Sequence, residues 1–484
     1  MKLKTSIALA LLSILLLLSY KTYKEKKRDT KTEFMLKILP NEKILQNFSY
    51  TGIGLFHGHA CSCENKSTVI HLKDRLNKED GTIKARRDKE LKHFKKRYGS
   101  VNNNVLIAPL NLPLSYPIHG TQVMPLHTIF LRGLSVYEEG NQNYEVTLEA
   151  SLGTFNTFAD VPEEQVEGRG NNKMTISTPY LQVLNHILQH VTYTSTVFDI
   201  DATDIVHFKM GNHKASFPVM IKQPPMPFLF DSGPDQKISS LVTITTKTFL
   251  RYDKVRLLIK SIREFYPNIT IIVADDNEIT EKIEEPNVEQ YFMPYAKGWF
   301  AGRNLAVSQV TTKYFLWVDD DFFFTKDTKI EKLVQVLEET DLDLVGGSVD
   351  NTAFKFRIVY QEGDEEGDCL YRRDGYYHNL EGFPNCVVAS GVVNFFMAHA
   401  RRVLAAGFDP KLNRVAHSEF FVDAFGSLRV GSCSDVVAGH QQRTPAQTDN
   451  EKKYVVFRQD THEQMNFKMN LLYFKHNLKC YTYK

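Results

Sequence analysis

The chain has 484 residues, of which 42% are hydrophobic and 24% are charged. This length suits about two to three globular domains, and the composition is that of a folded protein. The formal net charge is only +2. Proteins that bind nucleic acid usually carry a strong basic excess, so the charge argues against nucleic acid as a partner.

The N-terminus carries a targeting signal. Residues 5–20 are uncharged and rich in Leu and Ile, and residues 21–28 are strongly basic. We expect a short cytosolic tail at 1–4, a transmembrane signal anchor at 5–20 and a stem at 21–60. A cleaved signal peptide is the alternative, because the lysines within residues 1–4 also provide the basic start of such a peptide.

Two kinds of signal disagree about the side of the membrane on which the chain folds. The positive-inside rule would keep the basic flank after the anchor in the cytosol. Asn47, Asn65 and Asn268, in contrast, begin N-glycosylation sequons, and the six cysteines are an even number compatible with disulfides. These two features favour the lumen, and the cysteine spacings leave the connectivity open.

Short β segments dominate the chain after the stem. Alternating apolar residues predict strands at 144–150, 191–197 and 217–221. Gly-rich turns between such strands are typical of a β-sandwich, so we predict a β-rich, sandwich-like module at 61–235. A Pro-rich connector at 224–234 marks its end.

Strands and helices then alternate along the chain. Apolar runs and helical spacing predict strands at 241–245, 269–274 and 314–318, with helices at 255–265 and 302–311. This order implies a parallel, Rossmann-like sheet in an α/β domain at 236–484. No Gly-x-Gly-x-x-Gly follows the first strand, and no Walker-type phosphate loop is present, which disfavours dinucleotide oxidoreductases and P-loop NTPases.

Acids follow two of these strands. Asp275 and Asp276 follow the second strand, and Asp319, Asp320 and Asp321 follow the third. Ligands of open α/β sheets bind at the carboxyl ends of strands, and adjacent carboxylates repel each other unless a cation lies between them. The triplet therefore predicts a site for Mn²⁺ or Mg²⁺ on a substrate diphosphate, with a solvated acidic turn as the alternative.

Two further groups lie downstream. Glu419 and Asp423 are four residues apart, on one face of a predicted helix, so either offers a general base. A helix-capping carboxylate is the alternative for Glu419. His440 follows an apolar run and offers an imidazole nitrogen to the metal, although a lone histidine is more often structural.

Several segments resemble one family of glycosyltransferases. These segments are 242–250, 261–267, 272–276, 297–305, 317–322, 390–396 and 407–421, with others upstream at 123–128, 150–154 and 190–196. They are similar to the β-1,4-N-acetylgalactosaminyltransferases, which include the ganglioside GM2/GD2 synthases and the Sd(a) blood-group synthase. The upstream segments resemble the Sd(a)-type enzyme more than the ganglioside type.

This resemblance implies a type II Golgi membrane protein with a lumenal GT-A catalytic domain. It also implies transfer of GalNAc from UDP-GalNAc, with Mn²⁺ or Mg²⁺ as cofactor. The acceptor would be a galactose that carries an α2,3-linked sialic acid, on a glycoprotein or a glycolipid, and the new linkage would be β1,4. Two roles stay open for the β-rich module, namely steering of the acceptor and formation of a homodimer.

The resemblance assigns roles to individual residues as well. The acid triplet matches the Asp-x-Asp metal motif, which makes Asp321 the first metal ligand and His440 a second. Asp319 would bind the metal, the ribose or a metal-bound water, and Asp320 would lie beside the nucleotide. The other residues implied at the nucleotide-sugar are Asp275 and Asp276 at uridine, Thr245 and Thr246 in the same pocket, and Arg303 and Asn304 at the sugar or diphosphate.

The stereochemistry implied by the resemblance requires one base. The donor sugar is α-linked and the product β-linked, so a single displacement suffices and no covalent nucleophile is needed. We predict Glu419 as the base and Asp423 as the second candidate, although Phe420 stands where related enzymes usually have Asp. The rival functions are a non-catalytic glycan-binding protein of the lumen and a transferase that uses UDP-GlcNAc or UDP-Gal.

Overall fold

The computed structural model describes residues 69–75, 80–98, 113–118, 120–138, 143–200, 202–223, 226–413, 417–441, 448–459 and 461–482. The predicted anchor and stem, Cys61, Cys63 and the sequons at Asn47 and Asn65 lie outside these residues. Among the helices of the described segments, none combines the length and the apolar character needed to cross a membrane.

The first described elements pack on the C-terminal part of the fold. They are strand β1 (Val69–His71) and helix α1 (Asp80–Tyr98). Strand β1 pairs with the last strand of the chain. Helix α1 exposes most of its basic residues, but Arg87 is buried with its guanidinium 3.8 Å from the centre of the Tyr473 ring. The β-rich module therefore begins later than the predicted residue 61.

Residues 114–221 form the β-rich module. Its elements are β2 (Leu114–Ser115), β3 (Thr121–Val123), β4 (Thr128–Phe130), β5 (Ser135–Val136), β6 (Tyr144–Glu149), β7 (Gly153–Thr157), β8 (Val166–Glu167), β9 (Lys173–Thr178), α2 (Leu181–Gln189), β10 (Val191–Ser195), β11 (Ala202–Met210) and β12 (His213–Ile221). The three strands predicted from alternating apolar residues are confirmed as β6, β10 and β12.

Two sheets of the module share one apolar core. Six strands form the larger sheet in the order β3-β12-β11-β6-β9-β8, and three form the smaller in the order β4-β10-β7. The core contains Val146 and Phe208 of the larger sheet with Phe155 and Tyr193 of the smaller. Tyr377 of the following domain joins the same core, so the module packs against that domain.

The second domain alternates strands and helices. Its elements are α3 (Ile238–Leu241), β13 (Val242–Thr248), α4 (Tyr252–Phe265), β14 (Ile271–Asp275), β15 (Val288–Phe292), α5 (Trp299–Ser308), β16 (Tyr314–Val318), β17 (Phe322–Phe323), α6 (Glu331–Glu339), β18 (Leu344–Val349), β19 (Lys355–Asp364), β20 (Gly367–Asp374), β21 (His378–Leu380), β22 (Phe383–Ala389), β23 (Gly391–Val392), β24 (Phe395–His399), α7 (Ala400–Ala406), α8 (His417–Asp423), β25 (Val430–His440), α9 (Asp449–Arg458), α10 (His462–Phe474) and β26 (Leu478–Thr482).

The main sheet of this domain is mixed rather than wholly parallel. Strands β15, β14, β13 and β16 run parallel, as predicted for β13, β14 and β16, while β15 was not predicted. Strand β24 then pairs antiparallel with both β16 and β18, and β18 pairs parallel with β25. The prediction of parallel strands holds for the half built from βαβ units, whereas β24 enters the sheet between β16 and β18 in the opposite direction.

Alternate residues of β16 face two different cores. Tyr314, Leu316 and Val318 pack in one apolar core with α4 and α6, and Phe315 and Trp317 pack in the other with α5 and α8. A strand covered on both faces reads as a continuous apolar run, which is why the sequence identifies it. Each such side chain stabilises the fold by about 1.5–3 kcal/mol through burial.

A smaller sheet closes the C-terminal side of the domain. Its strand order is β1-β26-β20-β19-β23. A disulfide joins Cys369 of β20 to Cys480 of β26, and a second joins Cys386 of β22 to Cys433 of β25. Four of the six cysteines are therefore paired within the described residues, in a connectivity that the sequence spacing left open.

Candidate active site

The strand register brings the two acidic strand ends together. Thr245 of β13 pairs with Trp317 of β16, and Thr248 of β13 pairs with Asp275 of β14. The residues that follow β14 and β16 therefore lie at one edge of the sheet, on either side of the end of β13. This is the carboxyl edge at which open α/β sheets bind their ligands.

Asp319, the first acid of the triplet, is held by a small polar network. The indole Nε1 of Trp317 donates to it at 3.1 Å, and the Asn394 amide donates at 3.0 Å. The buried Arg303 guanidinium lies 3.9 Å from Asp319 and donates to Asn394 at 2.7 Å. Burial raises the pKa of Asp319, and Arg303 opposes that rise.

Asp320 and Asp321 share one guanidinium. Nη1 of Arg251 donates to Oδ2 of Asp321 at 2.9 Å, and Nη2 forms an ion pair with Asp320. Burial raises the pKa of Asp320 to about 7, although Arg251 favours its charged form. The guanidinium lies 4.0 Å from the centre of the Tyr454 ring of α9. The second and third acids therefore face a cation supplied by the protein.

His440 reaches the triplet because β17, which follows the acids, pairs with the end of β25. Phe322 lies opposite His440 in that ladder. Nδ1 of His440 is 2.7 Å from the carbonyl oxygen of Gln441 and Nε2 is 3.5 Å from Oδ2 of Asp321. Since a carbonyl only accepts, Nδ1 carries a proton, and Nε2 is the ring nitrogen that faces the carboxylate.

A carboxylate oxygen and an imidazole nitrogen are both common ligands of divalent metals. Asp321 and His440 thus fit a divalent metal that takes its remaining ligands from water and a substrate phosphate, as Mg²⁺ usually does in proteins. Within the described segments, no three His, Cys, Asp or Glu side chains are grouped to hold a metal by themselves. The pair therefore fits a metal that binds together with a phosphorylated substrate.

Asp275 and Asp276 have different surroundings. Asp275 is fully buried and accepts hydrogen bonds from Tyr252, Asn277 and Gln290, which occupy both of its oxygens. Asp276 forms a buried ion pair with Lys247 and accepts from the backbone N–H of Gly298 at 2.9 Å. Asp275 thus shapes the loop after β14, whereas Asp276 lines a cleft.

This cleft lies beside the triplet at the same edge of the sheet. It encloses about 80 Å³ and is lined by Lys247, Phe249, Asp276, Ala296, Gly298, Trp299, Asn413, Tyr454, Phe457 and Arg458. Gly298 has a φ of +90°, and a Cβ there would come within 2.8 Å of the Asn413 backbone, so the wall requires glycine. The aromatic rings and the buried ion pair suit a ligand with a flat ring and polar edges.

The other predicted nucleotide residues lie deeper. The hydroxyl of Thr245 donates to the Leu316 carbonyl at 3.3 Å, and the buried Thr246 hydroxyl has no hydrogen-bond partner among the described residues. Both amide atoms of Asn304 bond the backbone of Phe408. Asn304 therefore fixes the turn after α7, and the roles predicted for these residues at a nucleotide-sugar stay predictions.

Glu419 and Asp423 lie on one face of α8, as their spacing predicts, and both are ion-paired. Glu419 is buried against Lys468 of α10, and burial raises its pKa although Lys468 opposes the rise. Asp423 lies 2.9 Å from Lys475 and 2.7 Å from His476. The structure thus pairs Glu419 with helix α10 and Asp423 with the two residues that follow this helix, and their role in proton transfer stays a prediction.

Five residues of the site were not identified from sequence. They are Lys247, Arg251, Asn394, Gln441 and Tyr454. Lys247 and Asn394 lie inside segments that carry the family resemblance, so the resemblance could have pointed to these two residues. Gln441 donates to the carbonyls of Lys254 and Phe322 and so ties the end of β25 to the triplet loop. Gln441 directly follows the predicted site residue His440, so its position in the sequence could have pointed to it.

Comparison with known proteins identifies the family. The sequence model of Glycosyl transferase family 2 matches residues 243–400. Beta-1,4 N-acetylgalactosaminyltransferase 2 of Mus musculus is 48% identical over 99% of this chain and 95% of its own length. Beta-1,4 N-acetylgalactosaminyltransferase 1 of Homo sapiens is 44% identical over 89% of this chain and 86% of its own length.

Solved structures of glycosyltransferases also align with part of the chain. TarS of S. aureus in complex with UDP-GlcNAc aligns with 42% of this chain and 59% of its own, at 13% identity and a TM-score of 0.32. GalNAc-T7 with UDP, GalNAc and Mn²⁺ aligns with 45% and 48%, at 11% identity and a TM-score of 0.34. The second domain is a GT-A glycosyltransferase domain of α/β type, as its family match and its acidic strand ends indicate. Because the chain is 44–48% identical to two of its members over most of its length, it belongs to the β-1,4-N-acetylgalactosaminyltransferase family.

Proposed function

We propose that this enzyme transfers GalNAc from UDP-GalNAc, with inversion, onto O4 of a galactose that carries an α2,3-linked sialic acid. The observation that carries the proposal is the 44–48% identity to named β-1,4 N-acetylgalactosaminyltransferases over almost the whole chain. The acceptor is the finer part of the proposal, and it rests on the sequence segments that resemble the Sd(a)-type enzyme.

The donor would lie along the carboxyl edge of the main sheet. Uridine would enter the cleft, where Phe249 and Phe457 offer aromatic faces and Asp276 offers a hydrogen-bond acceptor. The diphosphate would then reach Asp321 and His440, which would hold Mn²⁺ or Mg²⁺ against it. A divalent cation bound there supplies charge neutralisation for the UDP leaving group.

The chain would direct the reaction as a single displacement. The acceptor O4 forms a bond to C1 of GalNAc while the bond from C1 to the diphosphate oxygen breaks, and the O4 proton moves to a carboxylate. We propose Glu419 for this proton, with Asp423 second. The raised pKa of buried Glu419 supports this role, since a base works best when its pKa lies near the working pH.

The same proposal places the protein in the Golgi membrane, with its catalytic domain in the lumen. Its support is the apolar run at residues 5–20, together with the two disulfides of the second domain, which are bonds of an oxidising compartment.

The test is UDP release by the full-length protein in detergent, with Mn²⁺ and α2,3-sialyllactose. UDP-GalNAc, UDP-GlcNAc and UDP-Gal are compared side by side, and unsialylated lactose serves as the second acceptor. We expect release with UDP-GalNAc alone and only with the sialylated acceptor. Equal release with UDP-GlcNAc or UDP-Gal would contradict the proposed donor, and equal release with lactose would contradict the proposed acceptor.

A further inference from the structure

The carboxylate proposed to bind the metal already has a cation on it. Oδ2 of Asp321 lies 2.9 Å from Nη1 of Arg251 and 3.5 Å from Nε2 of His440. The other terminal nitrogen of Arg251 is paired with Asp320. One oxygen of Asp321 therefore serves both the guanidinium and the position at which a metal would bind.

Three side chains contact Arg251. Asp320 and Asp321 pair with its guanidinium, and the centre of the Tyr454 ring from α9 lies 4.0 Å from it. Its Nε, although buried, has no hydrogen-bond partner among the described residues. The side chain belongs to the residue that directly precedes helix α4, at the end of β13 where the donor would enter. Arg251 thus has an N–H group without a hydrogen-bond partner among the described residues, and it lies beside the proposed position of the diphosphate.

The charges make the guanidinium and a divalent metal competitors. Asp320 and Asp321 both pair with the one guanidinium of Arg251, while Asp319 faces Arg303 instead. Two cations held on one carboxylate oxygen repel each other strongly in a buried site. A diphosphate relieves this repulsion, because it offers the guanidinium a bidentate anionic partner of its own.

We propose, on the basis of the function proposed above, that Arg251 is an exchangeable counter-ion. It pairs with Asp320 and Asp321 while neither the metal nor UDP-GalNAc is bound, and it moves to the diphosphate when the two bind together. Metal alone then binds weakly, because it must displace Arg251 without giving it a new partner. Metal and nucleotide each strengthen the binding of the other, as linkage between two sites requires.

The test measures Mn²⁺ affinity from the electron paramagnetic resonance of free Mn²⁺, using full-length protein with and without UDP. We expect UDP to tighten Mn²⁺ binding of the unmodified protein by about tenfold or more. In Arg251→Gln, Mn²⁺ should bind more tightly without UDP, and the gain from UDP should shrink. Arg256→Gln is the matched control, because Arg256 lies on helix α4, which follows Arg251, and pairs with the half-exposed Glu281.

Two results would overturn the inference. Unchanged or weaker Mn²⁺ binding by folded Arg251→Gln in the absence of UDP would show that Arg251 does not compete, even if UDP release proceeds normally in the unmodified protein. Absence of Mn²⁺ binding by the unmodified protein even in the presence of UDP would reject the metal site and the inference with it. If Arg251→Gln fails to fold, Tyr454→Leu replaces it, since loss of the ring over Arg251 should shift Mn²⁺ affinity in the same direction by less.

Discussion

Two groups of buried carboxylates in this protein face cations in different ways. At the end of β16, Oδ2 of Asp321 lies against both Arg251 and Nε2 of His440, beside a cleft. On α8, Glu419 is paired with Lys468 beneath the helix α10. Asp320 of the first group and Glu419 of the second are buried to a similar degree, so burial does not separate a ligand site from a structural ion pair.

The difference lies in what surrounds each pair. The strand-end acids lie where the backbone turns away from the sheet and leaves a cleft, and the imidazole of His440 faces Asp321 there. The helix acids lie where a second helix covers the first, and their cationic partners come from that covering helix and the residues after it. Access from the cleft and the facing imidazole, rather than burial, therefore mark the candidate metal site, and the following variants test this distinction.

The largest effect is expected from Asp321→Asn. An amide keeps the shape of the side chain but loses the charge that would hold a divalent metal against a diphosphate. We expect Mn²⁺ binding and UDP release both to fall below detection, while the melting temperature stays within a few degrees. Asp341→Asn, at an exposed acid, is the control. Retention of Mn²⁺ affinity by Asp321→Asn would place the metal elsewhere.

Glu419→Gln separates the catalytic role of the helix acid from its structural role. If the carboxylate accepts the O4 proton, turnover falls by about 10³-fold while the KM for UDP-GalNAc changes little. The measurement is steady-state UDP release, with thermal unfolding of the same preparation as a check on folding. Near-full turnover would show that Glu419 is not the base and that its ion pair with Lys468 is its whole role.

Lys468→Met tests the ion pair from the other side. The change leaves Glu419 buried without its cation, and breaking a buried pair in this way costs about 3 kcal/mol in the free energy of unfolding. Urea unfolding measures the loss, and the double variant with Glu419→Gln should recover part of it. Lys475→Met is the control, because Lys475 is about half exposed and should matter much less. Equal losses in the free energy of unfolding from Lys468→Met and Lys475→Met would show that burial of the ion pair makes no difference.

The sequence predicts the half of the fold in which local pattern and burial agree. Strands β13, β14 and β16 are covered on both faces, so their apolar runs are continuous and their acidic ends are visible. Strand β24 carries the same kind of apolar residues, yet nothing local tells that it runs antiparallel between β16 and β18. Direction in a mixed sheet depends on connections that span many residues.

The candidate site divides in the same way. The acids were predictable because the carboxyl ends of strands meet at one edge of the sheet. Their partners were not, because Arg251 reaches Asp321 across 70 residues of sequence and Lys468 pairs with Glu419 from a later helix. Such pairs depend on tertiary packing, which amino-acid spacing does not record.

The smallest effect is expected from Asp423→Asn and depends on pH. Burial alone would raise the pKa of Asp423, but hydrogen bonds and charges from His476 and Lys475 outweigh it and lower the pKa below the ordinary value. A carboxyl with a lowered pKa in the folded state stabilises the protein above its unfolded pKa of about 4, and this contribution is lost as the pH falls through the folded value. We therefore expect the variant to lose about 1–2 kcal/mol in the free energy of unfolding at pH 7. The difference in the free energy of unfolding between the unmodified protein and the variant should shrink as the pH falls below 4, and urea titrations at a series of pH values measure it. A constant difference between the two proteins across that range would show that Asp423 contributes through its shape and not through its charge.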